Sequence, residues 1–155
     1  MYKRILVPLD GSSTSERGLS EAIRFARGHD TRLVLLHVID DFPTMREFAS
    51  NEPIDSSRVR RQREAEDLLR RSVRQAEDSG IDAESSVRFA IESAPDTIVE
   101  TAAKLHCELI VIGTHGRSGF RRAVLGSVAE RVSRHSPVPV MLVPPEIAGE
   151  PGASA

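Results

Sequence analysis

A doubly wound α/β fold, with a five-stranded parallel sheet and helices on both faces, is predicted by three features of the 155-residue chain. Short apolar runs alternate with stretches of helical periodicity, and that alternation implies parallel strands joined by right-handed crossovers. Leu109-Ile110-Val111-Ile112 is unbroken by polar residues, and Leu33 to Ile39 is interrupted only by His37, as expected of strands buried on both faces. The length suits one full core and is too short for two ordinary domains. Residues 1–145 therefore read as a single domain, and 146–155, EIAGEPGASA, as a flexible tail.

The elements follow in order. Lys3 to Leu9, with Ile5, Leu6 and Val7, is the first strand. Asp10-Gly11 turns the chain, and Ser13 with Glu16 has the spacing of a capping box at a helix start. Leu19, Ala22, Ile23 and Ala26 then recur at helical spacing, and Gly28 marks the stop. Leu33 to Ile39 is the second strand. Asp41 to Ser57, with Pro43 and Pro53, reads as an irregular loop over the edge of the sheet. The next helix, roughly Ser57 to Ser79, keeps a stripe of Val59, Leu69, Val73 and Ala76, with Arg63/Asp67 and Glu66/Arg70 at i,i+4 spacing. Glu84 to Ala90 alternates Val87 and Phe89 with Ser86 and Arg88, the pattern of an edge strand with one wet face. Ser93 and a first-turn Pro95 open a third helix, with Ile98, Ala102 and Leu105 inward. The fourth strand, Leu109 to Ile112, is followed by a glycine-rich loop. Ser127 and Glu130, again at capping-box spacing, start a helix to about His135, and Val138 to Val143 is the fifth strand.

Charge and composition exclude several classes. A formal net charge of −2 and a pI of about 6.2 lack the positive excess of a non-specific nucleic-acid binder. The basic run RVRRQRE is followed at once by Glu66 and Asp67, so it reads as a solvated helix face. No apolar run is long enough to span a bilayer, and MYKRILVPLD leads into a strand without a signal-peptide pattern, so a cytoplasmic protein with no membrane partner is expected. Cys107 is the sole cysteine, which rules out an internal disulfide or a cysteine-based zinc cluster and leaves a packed thiol as its expected role. His37 reads as a hydrogen-bonded core histidine; with His106 and His135 it is scattered over separate elements, without metal-ligand spacing.

The segment Gly113 to Ser127, GTHGRSGFRRAVLGS, concentrates the chemistry. It lies between a buried strand and a helix start, where unpaired backbone N–H groups and the positive end of the helix dipole favour an anion. Gly113, Gly116 and Gly126 allow backbone to approach a ligand, while Arg117, Arg121 and Arg122 add positive charge. Phosphate is the natural occupant. The spacing of Gly113, Gly116 and Gly126-Ser127 resembles the ATP-binding signature of the universal stress protein family. The likeness extends from ILVPLDGS through LLHVID to SPVPVMLVP, nearly the whole chain. Ala90-Ile91, where many relatives carry glycine, and Glu108, in place of a common aspartate, depart from the pattern outside the loop.

The resemblance implies a Rossmann-like sheet in the order 3-2-1-4-5, which sets the loops after strands one and four side by side at the switch point. It implies ATP as ligand, with Gly113, Gly116, Gly126, Ser127 and Val128 contacting ribose and phosphates, mostly through backbone N–H, and Ile112 and Arg117 beside them. Pro8, Leu9 and Val38 then line the adenine pocket, and Asp10 approaches the nucleotide. A carboxylate beside phosphates needs sugar hydroxyls or a cation between them, so Asp10 points to ribose or Mg²⁺, with Asp10 the candidate metal ligand. The alternative is that Asp10-Gly11 merely turns the chain and helps cap the first helix. His115 either touches phosphate or only orders the loop, and Ser127 either caps its helix or binds phosphate.

No Walker-type motif and no evident base accompany this loop, so hydrolysis is expected to be absent, slow or partner-dependent. The leading expectation is a nucleotide-linked stress regulator, homodimeric through strand five, whose apolar residues lie at the sheet's edge. A dimeric interaction module without nucleotide is the second reading. An adenylating enzyme is the third; such enzymes carry an S-G-G-x-D-S-type loop, of which DGSSTS is a loose echo.

Overall fold

The computed structural model describes residues 1–40, 49, 53–90, 92–115 and 125–146. Nine elements alternate along the chain: β1 (Arg4–Pro8), α1 (Ser13–Ala26), β2 (Arg32–Ile39), α2 (Ile54–Asp78), β3 (Ala83–Phe89), α3 (Ala94–Lys104), β4 (Leu109–Gly113), α4 (Ser127–His135) and β5 (Val140–Val143). The five strands form one sheet in the order β3-β2-β1-β4-β5. Every pairing is parallel, with Ile5 opposite Leu33 and Leu109, Leu33 opposite Ala83, and Ile110 opposite Val140. The expected fold class and strand order are both present.

Strand alternation divides the core into two layers. Ile5, Val7, Leu33, Leu35, Leu109 and Val111 share one layer with Leu19, Ala22, Ile23 and Ala26 of α1 and Leu69 and Ala76 of α2. Leu6, Val34, Leu36, Ile110 and Ile112 share the other with Ile98 and Ala102 of α3 and Ala129 and Val132 of α4. Winding therefore reverses at β1. From it the chain moves outward through α1 and β2 on one side, and returns through α3 to β4 on the other.

Several local expectations are corrected. Helix α1 is capped by Ser12, whose hydroxyl accepts from Ser15 N–H at 3.2 Å, and not by a Ser13/Glu16 box. The cause lies one step upstream. Asp10 Oδ1 accepts from Ser12 N–H at 2.9 Å, and Gly11 sits at φ 81°, so the turn closes a residue earlier. Helix α2 starts at Ile54, behind Pro53 at the N-cap, so Ile54 to Ser57 is helical and not loop. Its inward positions are Ser57, Ala65, Leu69, Ser72 and Ala76, while Val59 is 51% exposed. Val59 lies about 200° around the helix from Ser57, which turns it away from the sheet. Arg70 pairs with Asp67 at 2.7 Å, and Glu66 accepts from Gln62 at 3.0 Å, in place of a Glu66/Arg70 pair. Ser93 caps α3 as expected, with Pro95 in its first turn. Strand β5 begins at Val140; Val138 precedes it and packs into the α3/α4 layer. The tail from residue 147 lies outside the described residues, as does most of the 41–57 loop.

Candidate functional site

The turn after β1, the end of β2, the start of α3, the turn after β4 and the first turn of α4 converge on one cavity of about 330 Å³. It opens at the carboxyl ends of the strands where winding reverses, the usual ligand position in such sheets. Its apolar lining includes Leu36, Val38, Ile98 and Ile112, and its polar lining is Asp10, Ser15, Thr114, His115 and Ser127, with Gly113 and Gly126 also at the surface. Of the residues singled out from sequence, Pro8, Leu9, Asp10, Val38, Ile112, Gly113, Gly126, Ser127 and Val128 all line this cavity. Gly116 and Arg117 lie outside the described residues, as do Arg121 and Arg122.

The end of β1 opens the cleft. Leu9 N–H donates to Leu36 carbonyl at 2.8 Å, and the Leu9 carbonyl accepts from His37 Nδ1 at 2.7 Å. His37 is thus hydrogen-bonded, as its place in a strand predicts, although it is half-buried and not fully enclosed. Peptide groups on a strand alternate sides, so the next β2 residue facing β1 after Leu36 is Val38. Val38 lies beyond the last β1 residue paired with β2, Pro8 opposite Leu36.

The turn after β4 forms the other side of the mouth. Gly126 N–H donates to Thr114 carbonyl at 2.7 Å, which ties the start of α4 to the end of β4. A Cβ at Gly126 would sit 2.8 Å from that carbonyl oxygen, so only glycine fits. Gly126 is also the N-cap of α4, and no side chain hydrogen-bonds the cap. The capping box expected of Ser127 and Glu130 does not form; Ser127 is the first helical residue. A side chain from the first helical position reaches forward past the helix end, where it cannot satisfy the N2 or N3 amide as an N-cap hydroxyl does. First-turn amides of α4 consequently have no intrahelical acceptor, and Ser127, Val128 and Ala129 bring them to the cavity.

Asp10 closes the turn onto Ser12 N–H, as the turn reading expected, and it also lines the cavity. Among the described residues no cluster of three or more His, Cys, Asp or Glu side chains could hold a metal alone, so a cation here would need oxygens from the ligand. Gly113 has a role that the spacing did not reveal. Its Cβ would meet Thr14 Cγ2 and Thr14 carbonyl oxygen, each at 2.9 Å, so its missing side chain lets α1 close on β4. Sequence reasoning also missed Ser15, Leu36, Ala94, Ile98, Thr114 and Ala129 as lining residues. Ile98 and Ala102 carried a visible helical stripe, but no local signal says that the start of that helix faces the β1 and β4 turns.

Cys107 stands apart from the cavity. It is buried as expected, and burial pushes its thiol up from 9.0 to about 11. Among the described residues no helix is long and apolar enough to cross a membrane.

Known proteins share this arrangement. A universal stress protein of Methanocaldococcus jannaschii is 33% identical over 144 residues, covering 92% of this chain and 82% of its own length. The solved structure of the hypothetical protein MJ0577 superposes with a TM-score of 0.83 at 30% identity, over 96% of this chain and 99% of that one. A universal stress protein solved in complex with cAMP matches at 25% identity and a TM-score of 0.66, over 92% and 96% of the two chains. The sequence pattern of the Universal stress protein family spans residues 1–144, from β1 through β5 and with it every strand and turn that builds the cavity, so this chain belongs to that family.

Proposed function

We propose that this protein binds ATP, assisted by Mg²⁺, in the cavity between the β1 and β4 turns, and works as a cytoplasmic, homodimeric regulator of the stress response. The observation that carries the reading is the pairing, within one cavity, of an apolar slot with a helix N-terminus that no side chain caps. The slot suits a purine, bounded by Leu36, Val38 and Ile112 of the sheet and Ile98 of α3, with Val38 backbone groups as edge partners. The first-turn amides of α4 suit phosphate oxygens, and the glycine at 126 keeps that approach free of a side chain. A volume of about 330 Å³ lies in the range of roughly 300 to 1,000 Å³ typical of small-molecule sites. The cAMP complex of a relative supports an adenine nucleotide as the ligand class.

Asp10 would hold Mg²⁺ through its carboxylate, the ion neutralising phosphate charge when bound. Among the described lining residues only Asp10 and His115 are ionisable. We therefore place turnover far below the roughly 1 to 100 s⁻¹ of kinases. The homodimer forms through β5, an edge strand with Leu142 exposed and prolines at 139 and 144 confining the contact to a short segment.

Calorimetric titration of the purified protein with ATP and Mg²⁺ tests the site. Ala94→Trp places an indole at the cavity wall from the partly exposed first residue of α3 and should abolish binding with the fold retained by circular dichroism. Asp10→Asn keeps the turn acceptor and should remove most of the Mg²⁺ dependence. Equal ATP affinity in wild type and in folded Ala94→Trp refutes the assignment.

A further inference from the structure

β3 (Ala83–Phe89) is the longer of the two edge strands and lies outside β2. At its two ends, Leu33 N–H donates to the Asp82 carbonyl at 2.9 Å and Ala90 N–H donates to the Ile39 carbonyl at 2.8 Å. Peptide groups alternate sides along a strand, so the even-numbered residues bond β2. Ala83, Ser85, Val87 and Phe89 therefore turn their N–H and C=O groups to the open edge. An open groove lined by Val73, Arg74, Ser85 and Val87 runs between α2 and this edge, and Ser85 is exposed. Ala83 and Val87 pack into the α2 layer, which puts Glu84, Ser86 and Arg88 on the other face of the sheet. There Glu84 is joined to Arg4 yet keeps 41% of its side chain exposed. Arg88 is exposed and has no ion pair among the described residues.

We propose that β3 pairs antiparallel with β3 of a second copy of this chain, about a two-fold axis at Ser86, joining two five-stranded sheets edge to edge. The register follows from parity. Outward-facing residues must meet outward-facing residues to exchange hydrogen bonds, so the axis passes through a residue and not between two. An axis at Ser86 pairs the whole of β3, and any other centre leaves part of the strand unpaired. Ser85 then exchanges backbone hydrogen bonds with Val87 of the second copy, and Ala83 with Phe89. Ser86 meets its own copy, and Glu84 meets Arg88, as non-hydrogen-bonded pairs, the closer kind at about 4.5 Å between Cα atoms. Opposite charges directly across such a pair stabilise it, whereas like charges oppose it. Charged side chains on an edge strand ordinarily deter association. Here the two-fold axis sets each charge against its opposite, so the same residues select one partner, a second copy in one register. The contact is a single strand wide and forms only well above micromolar concentration. It lies at the opposite edge of the sheet from β5 and does not depend on the β5 dimer; a chain that uses both edges assembles beyond a dimer.

Disulfide trapping reads this register. In full-length Cys107→Ala protein, Ser86→Cys would set two thiols on the axis with their Cα atoms about 4.5 Å apart, inside the roughly 4.4 to 6.8 Å that a disulfide spans. Ser85→Cys is the control. Ser85 is the more exposed position, but it lies opposite Val87, so its own copy is displaced two residues along the strand, roughly 8 Å away and out of reach. After mild oxidation of concentrated protein, Ser86→Cys should run mainly as a covalent dimer on a non-reducing gel, and Ser85→Cys mainly as monomer. Adding Arg88→Glu to Ser86→Cys sets like charges across the axis and should cut trapping severalfold, while Arg88→Lys should keep it. Adding Leu142→Lys at the other edge should leave trapping unchanged, which keeps this result separate from the fate of the β5 dimer. Circular dichroism checks that each variant is folded. Equal trapping at positions 85 and 86, no trapping at 86, or trapping that ignores Arg88→Glu overturns the proposal, as does its loss on Leu142→Lys.

Discussion

At the start of α4, Ser127 has an exposed side chain at the first helical position, behind a glycine N-cap. Its hydroxyl is not spent on the helix's own amides, which separates two roles that the sequence left merged. Removing a true N-cap hydroxyl costs about 1 kcal/mol. Ser127→Ala should instead change unfolding free energy in urea by less than about 0.5 kcal/mol, the range of ordinary surface substitutions, while weakening ATP in titration. Cys107 shows a different consequence of position. Burial holds its thiol neutral up to about 11, against 9.0 when exposed. Between those values the unfolded chain has released a proton that the folded chain keeps, so the unfolded state binds fewer protons and stability falls as pH rises. The contribution is fully present below pH 9 and is lost progressively toward pH 11. Denaturation midpoints measured from pH 8 to pH 11 should fall less steeply in Cys107→Ala than in wild type, and native protein should resist alkylation at pH 7.5 until unfolded.

Among the elements, the contact of α1 with β4 is the least tolerant of added volume. Gly113 lies against Thr14, and Gly18 stands one turn along the same helix, its would-be Cβ at 3.5 Å from Gly113 N. Two glycines thus let the helix lie close to the strand end that carries the β4 turn. Gly113→Ala forces backbone to move, since one of the two 2.9 Å neighbours is the Thr14 carbonyl oxygen and not a flexible side chain. Overpacking of this kind costs about 1 to 3 kcal/mol; a chemical denaturation curve should register that loss. Gly18→Ala, with only ordinary contacts, should be tolerated and gains helix propensity. The same geometry makes Gly126→Val a poor probe of ligand contact alone. Its Cβ collides with the Thr114 carbonyl before any ligand is present, so loss of binding there would mix a displaced turn with a blocked site.

For the whole molecule, charge and edges matter more than any single contact. The amino-terminal end of the sheet carries ion pairs between Lys3 and Asp30 at 2.8 Å and between Arg32 and Asp82 at 2.6 Å, with Arg4 joined to Glu84. Most of these groups are exposed, so each pair contributes little and salt should change stability only slightly. The edge strands are unequal. β3 is long and has no fully buried residue, whereas β5 spans four apolar residues of which Val143 is 3% and Leu142 38% exposed. Leu142 faces away from the core and Val143 into it, so a lysine at 143 would unfold the domain and test nothing about association. Leu142→Lys adds charge at the proposed dimer contact and should convert the protein to monomer in sedimentation velocity at micromolar concentration, with its thermal unfolding largely unchanged. A mutant that sediments like a dimeric wild type, or a wild type that is already monomeric, removes β5 as the interface.

The amino-acid sequence alone determined the alternation of elements, the burial of the three central strands, the class of fold, and Asp10 of the β1 turn with Gly113, Gly126 and Ser127 around the β4 turn as positions that line the cavity. These are local properties: runs of apolar residues, a 3.6-residue period and turn residues act over a few neighbours, so they can be read in one dimension. Resemblance to a family supplied the strand order, which no period contains. Tertiary structure alone decided which serine caps α1, because Asp10 captures Ser12 N–H and closes the turn a residue early. It decided that Val59 faces outward, since the inward face of α2 is set by contact with the sheet. It also decided that the start of α3 closes the cavity with Ala94 and Ile98. Each of these depends on groups far apart in the chain or on a turn angle that several sequences share. Crossovers and side-chain packing fix them, and neither leaves a periodic trace.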